Sequence, residues 1–157
     1  MTSRHRPLLA AACADQAEVL ALSVTRFIAA GYMTSDAACW DAAHACAEEL
    51  LGVAAGPKLV AAFAGVMRAL KAERHEPWSF MPAPCCRITE DEADLLAALQ
   101  VARRGDPPAL RQASLRLARI EAAPRLAAAL AAAAETLEAL VPALADAGKP
   151  GALRRMH

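Results

Sequence analysis

Aromatic residues are scarce in this chain: one tyrosine, three phenylalanines and two tryptophans make up 4% of 157 residues. A core built on large rings is thereby excluded. Hydrophobic residues still account for 57% of the sequence, and alanine alone for roughly a quarter, so the apolar mass lies in small side chains and the helices must pack closely. β-Branched residues are also few, while alanine is the strongest helix former, so propensity argues against sheet and for an all-α fold. The length fits one domain with a real core.

Net charge is missing as well. Seventeen basic residues balance seventeen acidic ones, which removes the long-range field used by dedicated nucleic-acid or anionic-membrane binders. The balance is not uniform: residues 76–102 are acidic, through Glu76, Glu90, Asp91, Glu92 and Asp94, and the chain from Arg103 onward is rich in arginine. Five cysteines without regular spacing do not form a disulfide framework. They point to a reducing compartment, and the expected location is the cytoplasm. The segment from Arg4 to Cys13 superficially resembles a lipoprotein signal, but its apolar part is too short and alanine stands three residues before Cys13. Glu135 interrupts the longest alanine–leucine tract, so no membrane span is expected.

The motifs of catalysis are absent too. There is no glycine-rich phosphate loop, no His-Glu-x-x-His and no Glu-x-x-His of the di-iron type. His44 and His75 are the internal histidines, and each is read as a surface or satisfied residue and not a catalytic one. The expectation is a non-enzyme without a cofactor.

What the chain does contain is a succession of amphipathic helices. Pro7 opens a helix expected to run to Ala30 and end at Gly31, with Leu9, Cys13, Leu20, Val24 and Phe27 on one side and Asp15, Glu18 and Arg26 on another. Thr34-Ser35-Asp36 caps a second, to about Leu51, with Trp40 as its large anchor on a face shared with Cys39, Ala43, Cys46, Ala47 and Leu50. Gly52 and Gly56 end it. Pro57 opens a third, to about His75, with the stripe Leu59, Val60, Phe63, Met67 and Leu70; Arg68, Lys71 and Arg74 fall outside it. The ridge Ala61, Gly65, Ala69 suggests close helix packing. Thr89-Glu90-Asp91-Glu92 is a capping box, and the helix it opens ends in Arg103-Arg104 before Gly105-Asp106-Pro107-Pro108. A fifth helix spans Pro108 to about Ile120. A sixth starts near Pro124 with Leu126, Leu130, Ala133, Leu137, Leu140 and Leu144 on a 3-4 repeat, which Pro142 should kink or end. The expected architecture is one bundle: three helices in residues 7–75, a connector in 76–88, three helices in 89–147, and a frayed tail from 148 carrying Arg154 and Arg155. Two lobes hinged at the connector are the alternative.

The connector is the chain's most distinctive stretch. Pro77, Trp78, Phe80, Met81, Pro82, Pro84, Cys85 and Cys86 give a loop the composition of something that packs or binds. Trp78, Phe80 and Met81 are therefore candidate partner-binding residues, with Leu137, Leu140 and Leu144 of the last helix as a second candidate surface. Cys85 and Cys86, just before a helix start and beside Arg87, are candidate soft-metal ligands or redox thiols. Cys39-x4-His44-x-Cys46 has ligand spacing on paper, but on a helix Cys39 and Cys46 lie about 10 Å apart and His44 projects elsewhere. The fourth and fifth helices resemble a helix-turn-helix in outline, with Arg111, Gln112, Ser114, Arg116 and Arg119 on the second. Two prolines in the turn and zero net charge argue against DNA. The reading that results is an accessory or regulatory protein acting through protein–protein contact, with a homodimer as one form; thiol chemistry at Cys85-Cys86 and DNA binding through the fifth helix are the alternatives.

Overall fold

Asp15 divides the first helical stretch in two. Its carboxylate accepts from the N–H of Glu18 at 3.0 Å, while the N–H of Ala14 donates to Glu18 Oε1 at 2.9 Å, a reciprocal cap that starts a new helix. In this computed structural model, which describes residues 6–147, a short turn α1 (Leu9–Ala12) therefore precedes α2 (Gln16–Thr34), in place of one helix over 7–30. The remaining helices are α3 (Ala37–Glu73), α4 (Glu90–Arg104), α5 (Pro107–Ala118) and α6 (Pro124–Ala147). The fold is all-α, without a strand among the described residues. The expected tail, with Arg154 and Arg155, lies outside them.

Gly31 does not end α2, which continues to Thr34 and closes on Ser35 in the left-handed conformation. The glycine has a steric role instead. A methyl group there would sit 2.6 Å from Trp40 Nε1, so the bare backbone is what admits the indole against α2. Tyr32 meets the same ring edge-on at 5.1 Å.

Asp36 caps α3 through the N–H of Ala38. Hydrogen bonding then runs on to Glu73, yet Gly52 at φ 83 and ψ 172 is not helical. A methyl on Gly56 would lie 2.9 Å from both N and Cα of Glu48, whereas eight residues of straight helix span about 12 Å. The chain thus folds back on itself at Gly52, and α3 is two limbs joined by a corner, close to the two helices expected around Gly52 and Pro57. Leu59, Val60, Phe63, Met67 and Leu70 of the second limb are buried as the stripe requires. The small-residue ridge packs only at its C-terminal end: Ala69 is buried, whereas Ala61 is exposed and a methyl on Gly65 would have Arg68 Nη2, 4.0 Å away, as its nearest neighbour.

Glu73, at the end of α3, accepts from the N–H groups of Arg125 and Leu126 at 2.7 and 3.0 Å, capping the start of α6. This joins the N-terminus of α6 to the C-terminus of α3, and the two pack along their lengths. Leu126, Leu130, Ala133, Leu137 and Leu140 are buried, so the leucine seam is filled from within the chain. Pro142 does not end α6, which runs on to Ala147. At the other side, Thr89 and Glu92 form the expected capping box on α4, and Gly105 at φ 69 closes it. Asp106 caps α5.

By length and composition α3 and α6 could each cross a membrane, which counting uninterrupted apolar residues does not reveal. The most apolar run of α3, residues 50–67 with Lys58 as its one charge, contains the Gly52 corner and is not a continuous rod. Both helices bury one side against the rest of the bundle, and α2 lies at its centre, covered nearly all round.

Candidate functional site

Because α2 is covered nearly all round, its charged residues Glu18 and Arg26 are covered too. Arg26, which helical projection sets apart from the apolar face, is fully buried beneath the connector. Its Nε and Nη2 donate to the two carboxylate oxygens of Glu92 at 2.7 and 3.0 Å. The same guanidinium donates to the carbonyls of Cys85 at 2.8 Å and Arg87 at 2.7 Å, and at longer range to those of Pro82 and Ala83. Glu92 in turn accepts from the N–H groups of Met81 and Thr89. One buried ion pair therefore satisfies much of a loop that has no secondary structure to do so.

A second pair repeats the device at the loop's start. Arg74, also buried where a solvent-facing position was expected, donates to the carbonyls of Glu76, Pro77 and Leu117 and to Asp91 Oδ1 at 3.0 Å. Asp91 Oδ2 accepts from the N–H and hydroxyl of Ser79 at 2.7 and 2.9 Å, and Thr89 Oγ1 donates to the carbonyl of Ser79. Arg119 bridges Asp91 to Glu76 from outside. The adjacent acids Asp91 and Glu92, in the first turn of α4, thus hold the two ends of the connector through Arg74, just past α3, and Arg26 of α2. A third cluster, Arg103 with Asp15, Glu18 and Glu138, ties α4 to α2 and α6.

The N-terminal segment lies along the far end of the connector. Leu9 N–H donates to Cys86 O and Ile88 N–H to Pro7 O, forming a single antiparallel bridge, while Arg6 reaches Met81 Sδ at 3.2 Å. With its backbone so held, the connector is a strap of fixed shape. Trp78 and Phe80 stack at 5.8 Å with an interplanar angle of 18°; both rest on the core and remain half-buried, as does Met81.

The residues singled out by sequence therefore separate. Trp78, Phe80 and Met81 share the partly exposed strap. Leu137 and Leu140 are core, and Leu144 is half-buried against it. Cys85 is half-buried, with Sγ 3.5 Å from the N–H of Arg87, and Cys86 is exposed. Among the described residues no group of three or more His, Cys, Asp or Glu side chains converges as a metal site. Burial and the nearby Glu18 carboxylate push the Cys13 thiol up to about 11, and burial likewise raises Cys46. On α5, Arg111, Gln112 and Arg116 are exposed, Ser114 is buried, and Arg119 is turned to the strap. No protein family, curated protein or solved structure matches this chain.

The strap's acids give it a definite pH response. Burial opposes the ionisation of Asp91, but hydrogen bonds from Ser79 and the Arg74 guanidinium outweigh it and hold the carboxyl below its usual range. The hydrogen bond from Arg103 does the same for Asp15. A depressed native pKa contributes stability that is complete above the unfolded value of about 3.9 and is lost as pH falls through the native one. Thermal melts followed by circular dichroism should be level from about pH 7 to 5 and fall steeply below about pH 4. Stability that holds level or rises below about pH 4, where the lowered Asp91 and Asp15 must be protonated, would contradict these assignments.

Proposed function

We propose that this is a non-enzymatic, helical protein–protein interaction protein of the cytoplasm, and that the strap of residues 76–88 is its contact surface. The observation that carries the reading is the use of two buried arginine–carboxylate pairs to immobilise a loop carrying a stacked Trp78–Phe80 pair and Met81 at the surface. Buried ion pairs are an inefficient way to stabilise a fold, since desolvation consumes most of their attraction. They are an effective way to fix a conformation, and a preformed aromatic surface binds without first losing loop entropy. Free cysteines and an α3 folded at Gly52 support a soluble, reducing location over a membrane one. The partner is a protein, and a second copy of the chain is one form it can take.

The test is photo-crosslinking from a benzoyl-phenylalanine placed at Phe80, against the same group at Ala131, an exposed position on α6. A discrete product from position 80, absent from 131, should be competed by added wild-type protein and not by Trp78→Ala, and its mass distinguishes a second copy from another protein. Equal labelling from both positions would remove the strap from consideration.

A further inference from the structure

Resting on the strap as the partner surface, we infer that residues 6–12 are a releasable cover on it, an intramolecular stand-in for an extended segment of the partner. The chain's own N-terminal segment shows how the strap takes such a segment. Leu9 N–H donates to Cys86 O at 2.8 Å and Ile88 N–H to Pro7 O at 3.0 Å, so Leu8 faces Arg87 in a non-hydrogen-bonded antiparallel pair. Arg87 Nη1 also donates to the carbonyl of Arg6 at 3.0 Å. Main-chain pairing of this kind is how an extended peptide adds to a backbone edge. It needs an N–H at the place of Leu9 and only a carbonyl at the place of Pro7, where proline is tolerated.

The segment is held far less firmly than the strap it covers. α1 is a single turn with no buried residue and no side-chain cap, too short to be stable alone. One bridge has no neighbouring ladder to support it. Arg6, Pro7 and Leu8 are exposed, Leu8 at 45%. What ties the rest down is the partial burial of Leu9 and Ala12 and a hydrogen bond from Gln100 Nε2 to the carbonyl of Ala12 at 3.0 Å. α2 does not depend on α1, because Asp15 and Glu18 cap it by themselves. Nor does the strap, which Arg26 and Arg74 hold from beneath. Residues 6–12 can therefore lift without unfolding the bundle. Lifting them leaves Cys86 O and Ile88 N–H to be paired again, near Met81, which Arg6 touches in the closed form. A partner's extended segment in the same register restores both bonds.

Two variants set the cover open or shut. Leu9→Pro deletes the N–H that reaches Cys86, at the first helical position, where proline is accepted; Leu8, extended at φ −75 and ψ 137, suits the residue before it. Leu8→Cys with Arg87→Cys, in a Cys85→Ser, Cys86→Ser background, places two thiols on a pair whose Cα atoms are about 4.5 Å apart, within disulfide reach. Native-state hydrogen exchange then compares Ile88, bonded to the cover, with Thr89, bonded to Glu92. Ile88 should be less protected by on the order of a hundredfold, less still in Leu9→Pro, and should match Thr89 in the disulfide form. The crosslink from position 80 should be lost on oxidation, return on reduction, and be strongest in Leu9→Pro. There the free peptide of residues 6–12, blocked at both ends and at concentrations on the order of 10 mM, should compete with it, and the same peptide with proline at the place of Leu9 should not. Equal protection of Ile88 and Thr89 in the wild type, a yield indifferent to oxidation, or competition by both peptides alike or by neither overturns the inference and leaves the strap. Absence of a product from position 80 in every form removes the strap reading, and the inference with it.

Discussion

Replacing Arg26 by methionine should lower stability by about 3–5 kcal/mol, the range found when one partner of a buried ion pair is removed. The side chain is fully buried, and methionine fills much of its volume, so packing loss is not the main cost. The cost lies in what is left behind. Glu92, itself without exposure, would keep a full charge with two backbone N–H donors in place of four, and the carbonyls of Cys85 and Arg87 would lose their shared donor. For a chain of this size the change corresponds to a fall in Tm of roughly 6–20 °C. Adding Glu92→Gln to Arg26→Met removes the stranded charge while keeping an amide oxygen for the capping box, so the double variant should be more stable than Arg26→Met alone. Glu92→Gln by itself strands Arg26 and should be destabilising. Urea unfolding of the four proteins gives the coupling directly. A loss below about 0.5 kcal/mol in Arg26→Met, the scale of ordinary surface substitutions, would mean that the strap is held by something else.

Arg26 is also where sequence reasoning and structure part company most instructively. Helical projection puts it away from Leu20 and Val24, and for a helix at the edge of a bundle that means solvent. α2 is not at the edge. The signal available in the sequence was that Ala17 to Ala30 is apolar nearly all round, which is the composition of a central helix, with one arginine needing an acid from elsewhere. The acid was visible too, as Glu92 in the capping box, but the box explained it fully in local terms and gave no reason to seek a distant partner. Local features were legible because local chemistry decides them: Thr89 and Glu92, the Asp36 cap, the stops at Gly52 and Gly105, and the leucine stripe of α6. Whether Leu137 and Leu140 face a second chain or the chain's own core was not, since a 3-4 stripe has the same pattern in both cases. Gly31 misled for a different reason. Its glycine is required by the Trp40 ring, a tertiary contact, and not by a helix end.

Two glycines in α3 separate the folded-back helix from a straight one by the sign of a single substitution. Gly56→Ala places a methyl 2.7 Å from Glu48 Cγ and 2.9 Å from its backbone N and Cα. Backbone atoms cannot rotate away, so the corner must open, at a cost of about 1–3 kcal/mol typical of overpacking. Gly65→Ala, nine positions on in the same helix, meets only Arg68 Nη2 at 4.0 Å, the end of a flexible side chain. There the exchange should stabilise by roughly 0.5–1 kcal/mol, the helix-propensity difference between the two residues. If both substitutions stabilised alike, Gly56 would be an ordinary helical position and α3 would be straight. A straight α3 of 37 residues would extend for about 55 Å, nearly twice the hydrocarbon thickness of about 30 Å that a membrane helix has to match. It would also carry the end of α3, and the strap that follows it, away from α2, and with them the Lys71–Tyr32 contact and the hold of Arg26 on the carbonyls of Cys85 and Arg87. The corner at Gly52 is therefore what brings the end of α3 and the strap back to α2, and the strap's hold on Arg26 depends on it.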